Sequence, residues 1–158
     1  MTMRSLSDIE ATARQALAAA GHAAVAGAAA KACAFLEGVG YPGLKLLQEA
    51  LADGDTTLNL ERDALGLDLK NVSCVFIGDA VARDVEANGR CFLRNVRHGL
   101  YLLPRSVEAN YGIGCPVDPS FALGGERLKN PYAEKLAAAA QNGVAVDDGL
   151  WAALTGAA

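Results

Sequence analysis

Apolar positions recur at helical spacing through the first fifty residues. Ile9, Ala13, Ala16, Leu17 and Ala20 repeat at three- and four-residue steps, the period of one helix face. Ser5 with Asp8, or Ser7 with Glu10, stands just ahead as a capping box, and Gly21 occupies the place of a helix-closing glycine. A second helix is predicted over 22–37, where Val25, Ala28, Ala29, Ala32, Phe35 and Leu36 are apolar and Lys31 and Glu37 are the only charges. So little of it can face water that it must be central or lie at a subunit contact. Gly38 and Gly40 end it, Pro42 suits the start of a third helix, and Leu44, Leu47 and Leu51 mark that helix's buried face up to Asp53-Gly54-Asp55.

The pattern then changes. Residues 56–71 alternate around the acidic patch 61–63 and predict irregular or short extended structure. Residues 72–77 are β-rich with a continuous apolar centre, which predicts a strand, and 79–87 a short helix ended by Asn88-Gly89. Alternation over 90–96 and the apolar run 100–103, joined by Arg97-His98-Gly99, predict a β-hairpin; Pro104 would end its second strand, with one helical turn at 106–110. Residues 111–125 carry six glycines and prolines and predict a long loop, with 121–123 as a short edge strand. Asn130-Pro131 predicts a helix start, running to Asn142-Gly143, and Asp147 caps a last helix bearing Leu150, Trp151 and Leu154.

The expected fold is α+β: an N-terminal helical layer packed on a small, mainly antiparallel sheet, with C-terminal helices. With no repeat and no long polar linker, the 158 residues read as one domain, 1–54 helical, 72–125 sheet and loop, 130–155 helical. Composition refines this. The chain is 52% apolar and 20% charged, too apolar for disorder, but much of the apolar content is alanine and only 6% is aromatic. Alanine lets helices approach closely yet buries little area, so a homo-oligomer is the expected partner. A net charge of −4 speaks against nucleic acid and anionic membrane as partners. The apolar stretch 23–30 is too short to span a bilayer, and no secretory pattern opens the chain. Cys33, Cys74, Cys91 and Cys115 show no CxxC or CxH spacing, which points to reduced thiols and a cytoplasmic location rather than zinc or disulfides. No cofactor is expected.

Candidate chemistry is sparse. Arg90, Arg94, Arg97 and Arg105 fall in sixteen residues without a carboxylate, a local reversal of sign. On a hairpin Arg90 and Arg94 would share a face with Arg97 at the turn, and such guanidiniums hold carboxylate or phosphate by paired hydrogen bonds. Pairing with Glu61, Asp63, Asp84 or Glu86 is the alternative. Residues 111–125, with Tyr111 and Cys115, suit a lid, although Gly112-x-Gly114 alone is a poor phosphate-loop signal. Cys115 would need a base for nucleophilic work. His98 reads as an exposed turn residue, His22 as a helix start, and Cys33, Cys74 and Cys91 as core. Asp53/Asp55, Glu61/Asp63 and Asp147/Asp148 are explained as helix stops, solvated charge and a cap. Trp151 anchors the last helix.

The opening 5–13, the helix end Ala34-Phe35-Leu36-Glu37 with its glycine turn into 44–51, the helix start Asn130-Pro131-Tyr132-Ala133 and the group Asp148, Leu150, Trp151 resemble a family of bacterial proteins known only as a domain of unknown function. These are helix-packing patterns, so the resemblance implies no activity and brings no functional residue; it does imply further residues after Trp151, and hence a shortened form. Three functions remain open. A non-catalytic, homo-oligomeric binding or assembly protein leads. A small-anion binding module using Arg90, Arg94 and Arg97 is the second. An enzyme using Cys115 or His98 is the third.

Overall fold

The computed structural model describes residues 1–53, 58–89, 91–109 and 131–156. Three helices open the chain. α1 (Leu6–Ala19) is capped by Ser5, whose Oγ accepts the Asp8 amide at 3.1 Å, and Gly21 closes it at a φ of 90°. α2 (Ala23–Gly38) buries Ala26, Ala29, Ala30, Ala32, Cys33, Ala34 and Leu36. It is the hub, touching α1, α3 (Gly43–Ala52) and three later helices. Its low charge therefore follows from burial within this chain. The alanines let neighbours approach closely: a Cβ on Gly43 would lie 2.6 Å from the Cys33 carbonyl oxygen. The bulk of the apolar burial comes instead from Ile9, Leu17, Leu36, Leu44 and Leu47, all fully buried, each contributing about 1.5–3 kcal/mol.

Two small sheets frame this layer. β1 (Thr2–Arg4) pairs antiparallel with β5 (Val144–Val146), Met3 opposite Ala145. β2 (Arg62–Asp63) and β3 (Gly66–Asp68) are antiparallel, and β4 (Leu93–Arg94) runs parallel to β3. Gly66, at a φ of 116°, is needed there, because a Cβ would fall 2.1 Å from the Phe92 carbonyl oxygen. The pairing continues past the strands: the amides of Leu69, Asn71 and Cys74 donate to the carbonyls of Arg94, Asn95 and Arg97. This zips the chain into the start of α4 (Cys74–Asn88).

The α+β architecture is as expected, but its middle is assembled differently. The apolar run 72–77 is the capped first turns of α4, not a strand. Ser73 is the N-cap, and Cys74, Val75, Phe76 and Ile77 are all buried because that end of the helix is covered on several sides; a continuous apolar run suits a buried helix as well as a strand. The helix runs through Gly78 into the segment predicted as a separate helix. The 90–103 hairpin does not form either. Its first arm supplies only β4, and Gly99–Leu102 is a 3-10 turn leading into α5 (Leu103–Ala109). Pro104 sits in the first turn of α5, where its missing N–H costs no helix bond. The one hairpin here, β2–β3, arises in the stretch predicted as irregular.

At the C-terminus, α6 (Ala133–Asn142) is closed by Gly143, and Asp147 caps α7 (Asp148–Thr155) by accepting the Leu150 amide at 2.8 Å. Trp151 anchors α7 beneath Arg4, whose guanidinium carbon lies 4.5 Å from the indole centroid. Among the described residues no helix is long and apolar enough to cross a membrane. The predicted loop 111–125, its 121–123 strand and the Asn130 cap lie outside the described residues.

Candidate binding cleft

Three of the predicted site residues, Arg90, Tyr111 and Cys115, lie outside the described residues. Arg94 and Arg97 are each held by a carboxylate from a distant segment. Arg94 on β4 is paired with Asp63 on β2, across the intervening β3. The Arg97 guanidinium grips Asp53 through two hydrogen bonds of 2.7 and 2.8 Å, a fork geometry that suits a carboxylate. Arg62 likewise reaches Asp84 at 2.6 Å. The Leu65 amide, aided by Arg94, holds the Asp63 carboxyl below its ordinary value, and Asp53 raises the Arg97 value.

His98 is the main departure from the sequence reading. It does sit at a turn, with a φ of 56°, but its side chain is only 5% exposed. The β3–β4 pairing carries Arg97 to Cys74 and so sets His98 against the cap of α4. Its Nδ1 lies 2.6 Å from Ser73 Oγ, and its Nε2 lies 3.2 Å from a Glu49 oxygen on α3. The Glu49 carboxylate can only accept, so Nε2 donates to it and, in the neutral ring, Nδ1 accepts the Ser73 hydroxyl, whose oxygen also accepts the Val75 amide at 3.1 Å. Burial pushes the imidazole below its ordinary value, Arg97 adds to the shift, and Glu49 opposes it. The Ser–His–Glu order is that of a catalytic relay, yet Ser73 is 2% exposed, and it is not among the residues that line the cleft between α2 and α4. What the relay does is pin α3 to α4.

The other cysteines and His22 are where the sequence puts them. Cys33, Cys74 and Cys91 are buried; burial pushes the Cys33 thiol up to about 12, beyond nucleophilic use. His22 precedes α2 and stacks on Phe76 with centroids 4.5 Å apart. Among the described residues no group of three or more His, Cys, Asp or Glu is placed to hold a metal ion.

Open space lies between α2 and α4. A half-open cleft of about 780 Å³ separates α2 from α4 and α5. Small residues create it: Gly27, Ala28, Ala29 and Ala32 line it from α2, and Gly78 from α4. A Cβ added at Gly27 would meet nothing within 4 Å. Val25 and Phe35 bound the α2 wall, ten residues or about 15 Å of helix apart, while Phe76, Tyr101 and Val107 line the far side. Charged groups edge it. Asp79 is bound by Arg83 and, at 3.2 Å, by Arg105, which also reaches Glu86 at 3.0 Å; Arg14 and Lys31 line the cleft from α1 and α2. Of the arginines singled out from sequence, Arg105 alone among the described residues lines this space. Alanine and glycine positions are weak sequence signals, so the cleft was not foreseeable from them; the low charge of 22–37 was its only trace.

A family model described as a protein of unknown function (DUF3726) matches residues 4–84. The match takes in α1, α2, α3 and the start of α4, hence one wall of the cleft and part of the other, whereas the resembling residues at 130–133 and 148–151 lie beyond it. No curated protein and no solved structure matches the chain.

Proposed function

The chain belongs to this family of unknown function, and from the geometry of its cleft we propose that it is a non-catalytic binding protein, taking its ligand between α2, α4 and α5. One observation carries the reading: a cleft of about 780 Å³ with a floor of small apolar side chains and a charged edge. That volume falls in the range of small-molecule sites, which are mostly apolar with a few placed polar groups. The absence of catalysis is supported by His98, whose hydrogen-bonding capacity is spent on Ser73 and Glu49 away from the cleft. The anion-receptor alternative draws less support, since Arg94 and Arg97 already hold Asp63 and Asp53. Self-assembly through α2 draws less support, because seven of its residues are buried within its own chain and its open face is a wall of the cleft.

Nile red, an uncharged solvatochromic dye, tests the reading. One equivalent should bind with a blue-shifted emission, and Gly27→Trp, which has room for its side chain, should abolish binding while the circular dichroism spectrum stays unchanged. Equal dye binding by the variant would overturn the reading. Light scattering on both proteins asks whether a second copy fills the cleft: a wild-type dimer made monomeric by Gly27→Trp would assign the space to self-assembly.

A further inference from the structure

Resting on the reading of the cleft as the binding site, we propose that its occupant is an anionic amphiphile, a single long-chain carboxylic acid with its chain along α2 and its carboxylate at Arg14 and Lys31. The charges lining the cleft oppose those of the chain as a whole. Four cations and two carboxylates face it, in a protein of net charge −4. On the α4–α5 side the cations are engaged: Asp79 lies between Arg83 and Arg105, and Arg105 also binds Glu86, while the carboxylate of the exposed Glu108 stands at the end of α5. On the α2 side they are available. Lys31 is exposed and, among the described residues, has no ion pair, and Arg14 has only the exposed intrahelical partner Glu10 at 2.9 Å, a pair of the kind worth little to stability. Two cations at one side of an apolar trough suit one negative head on one apolar tail. A bare small anion would leave the half-buried Val25, Phe35 and Val107 uncovered on the cleft side, and an uncharged chain would leave Lys31 facing only water. Val25 and Phe35 stand about 15 Å apart along that wall, a length that suits an extended chain.

Isothermal titration with three decyl compounds below their micellar concentrations tests this: decanoate, decyl maltoside and decyltrimethylammonium. Decanoate should bind one to one and about tenfold or more tighter than either of the others, the range of one charge-assisted hydrogen bond. In the Arg14→Glu, Lys31→Glu double variant that preference should vanish or invert, with Nile red binding retained as proof that the cleft is intact. Equal affinity for all three compounds, a decanoate preference that survives the double variant, or binding to phosphatidylglycerol vesicles without binding to decanoate would each overturn the acid-chain assignment. Such results would still leave the cleft standing as the site if Gly27→Trp blocks the dye. Loss of both dye and decanoate selectivity in the wild type would instead sink the cleft itself.

Discussion

α4 borders two regions of opposite character. On one side, Ser73, His98 and Glu49 form a hydrogen-bonded relay beside the Arg97–Asp53 pair, the serine 2% exposed and the imidazole side chain 5%. It holds the residue types that chemistry uses, and they are fully occupied in holding α3 to α4. On the other, alanine and glycine leave about 780 Å³ of open, apolar-floored space, with no reactive residue type in a catalytic arrangement among those described. A relay of the right atoms at the right distances acts as a structural clamp when its serine and imidazole are buried. A run of unreactive small residues becomes the candidate site because it makes room.

The sharpest way to break this contrast is to cut the clamp. Ser73→Ala removes the cap of α4, worth about 1 kcal/mol, and leaves the His98 Nδ1 acceptor buried without a donor, about 1–3 kcal/mol more. Denaturant titration should show a loss of about 2–4 kcal/mol, and the melting temperature should fall by about 5–15 °C. Nile red binding at temperatures where the variant is folded should not change, since Ser73 does not line the cleft. A loss of dye binding without loss of stability would reverse the roles assigned to the two sides.

A gentler probe of the clamp is pH. The folded imidazole titrates below its ordinary value because it is buried beside Arg97, with Glu49 and Asp53 opposing the shift. As pH falls through the ordinary histidine value of about 6.5, the unfolded chain takes up a proton before the folded one does. Stability should therefore drop with decreasing pH in the window just below 6.5, by at most about 1.4 kcal/mol per pH unit for one group, and the effect should level off once the folded imidazole is also protonated. His98→Asn, an exchange compatible with a left-handed backbone, should show a flatter profile there. An unchanged slope would mean that the clamp is not proton-linked.

The two sides also differed in how far the sequence announced them. Local signals were legible where a side chain bonds its own neighbourhood: Ser5 and Asp147 as caps, Gly21 and Gly143 as helix ends, and the apolar face of α3. They failed where partners come from afar. Residues 72–77 read as a strand because burial on all sides erases helical periodicity, and Ser73 two residues in was the overlooked cap. His98 read as an exposed turn residue because its burial depends on Leu69, Asn71 and Cys74 pairing with Arg94, Asn95 and Arg97, a register set by the parallel β3–β4 contact. The arginine cluster was visible as charge, but its carboxylates sit up to 44 residues away in the chain. The cleft was the least legible feature, since absent side-chain volume leaves only a low-charge, alanine-rich helix in the pattern.

The smallest expected effect bears on the open side. Gly27 lies within α2 in ordinary helical backbone, and a Cβ there meets nothing within 4 Å. Alanine at this position lowers the entropy of the unfolded chain and has the higher helix propensity, so Gly27→Ala should stabilise the protein by about 0.5–1 kcal/mol, read as a raised denaturation midpoint at constant slope. Were this face of α2 packed against protein, the added methyl would have to displace a neighbour and the sign would turn negative. The two substitutions at one position thus separate space from binding. Gain with alanine requires that the space is open, and loss of dye with tryptophan requires that it is used. Gain with alanine combined with undisturbed dye binding by the tryptophan variant would leave an open trough with no function in binding, and would return the search to the side of α4 that is closed.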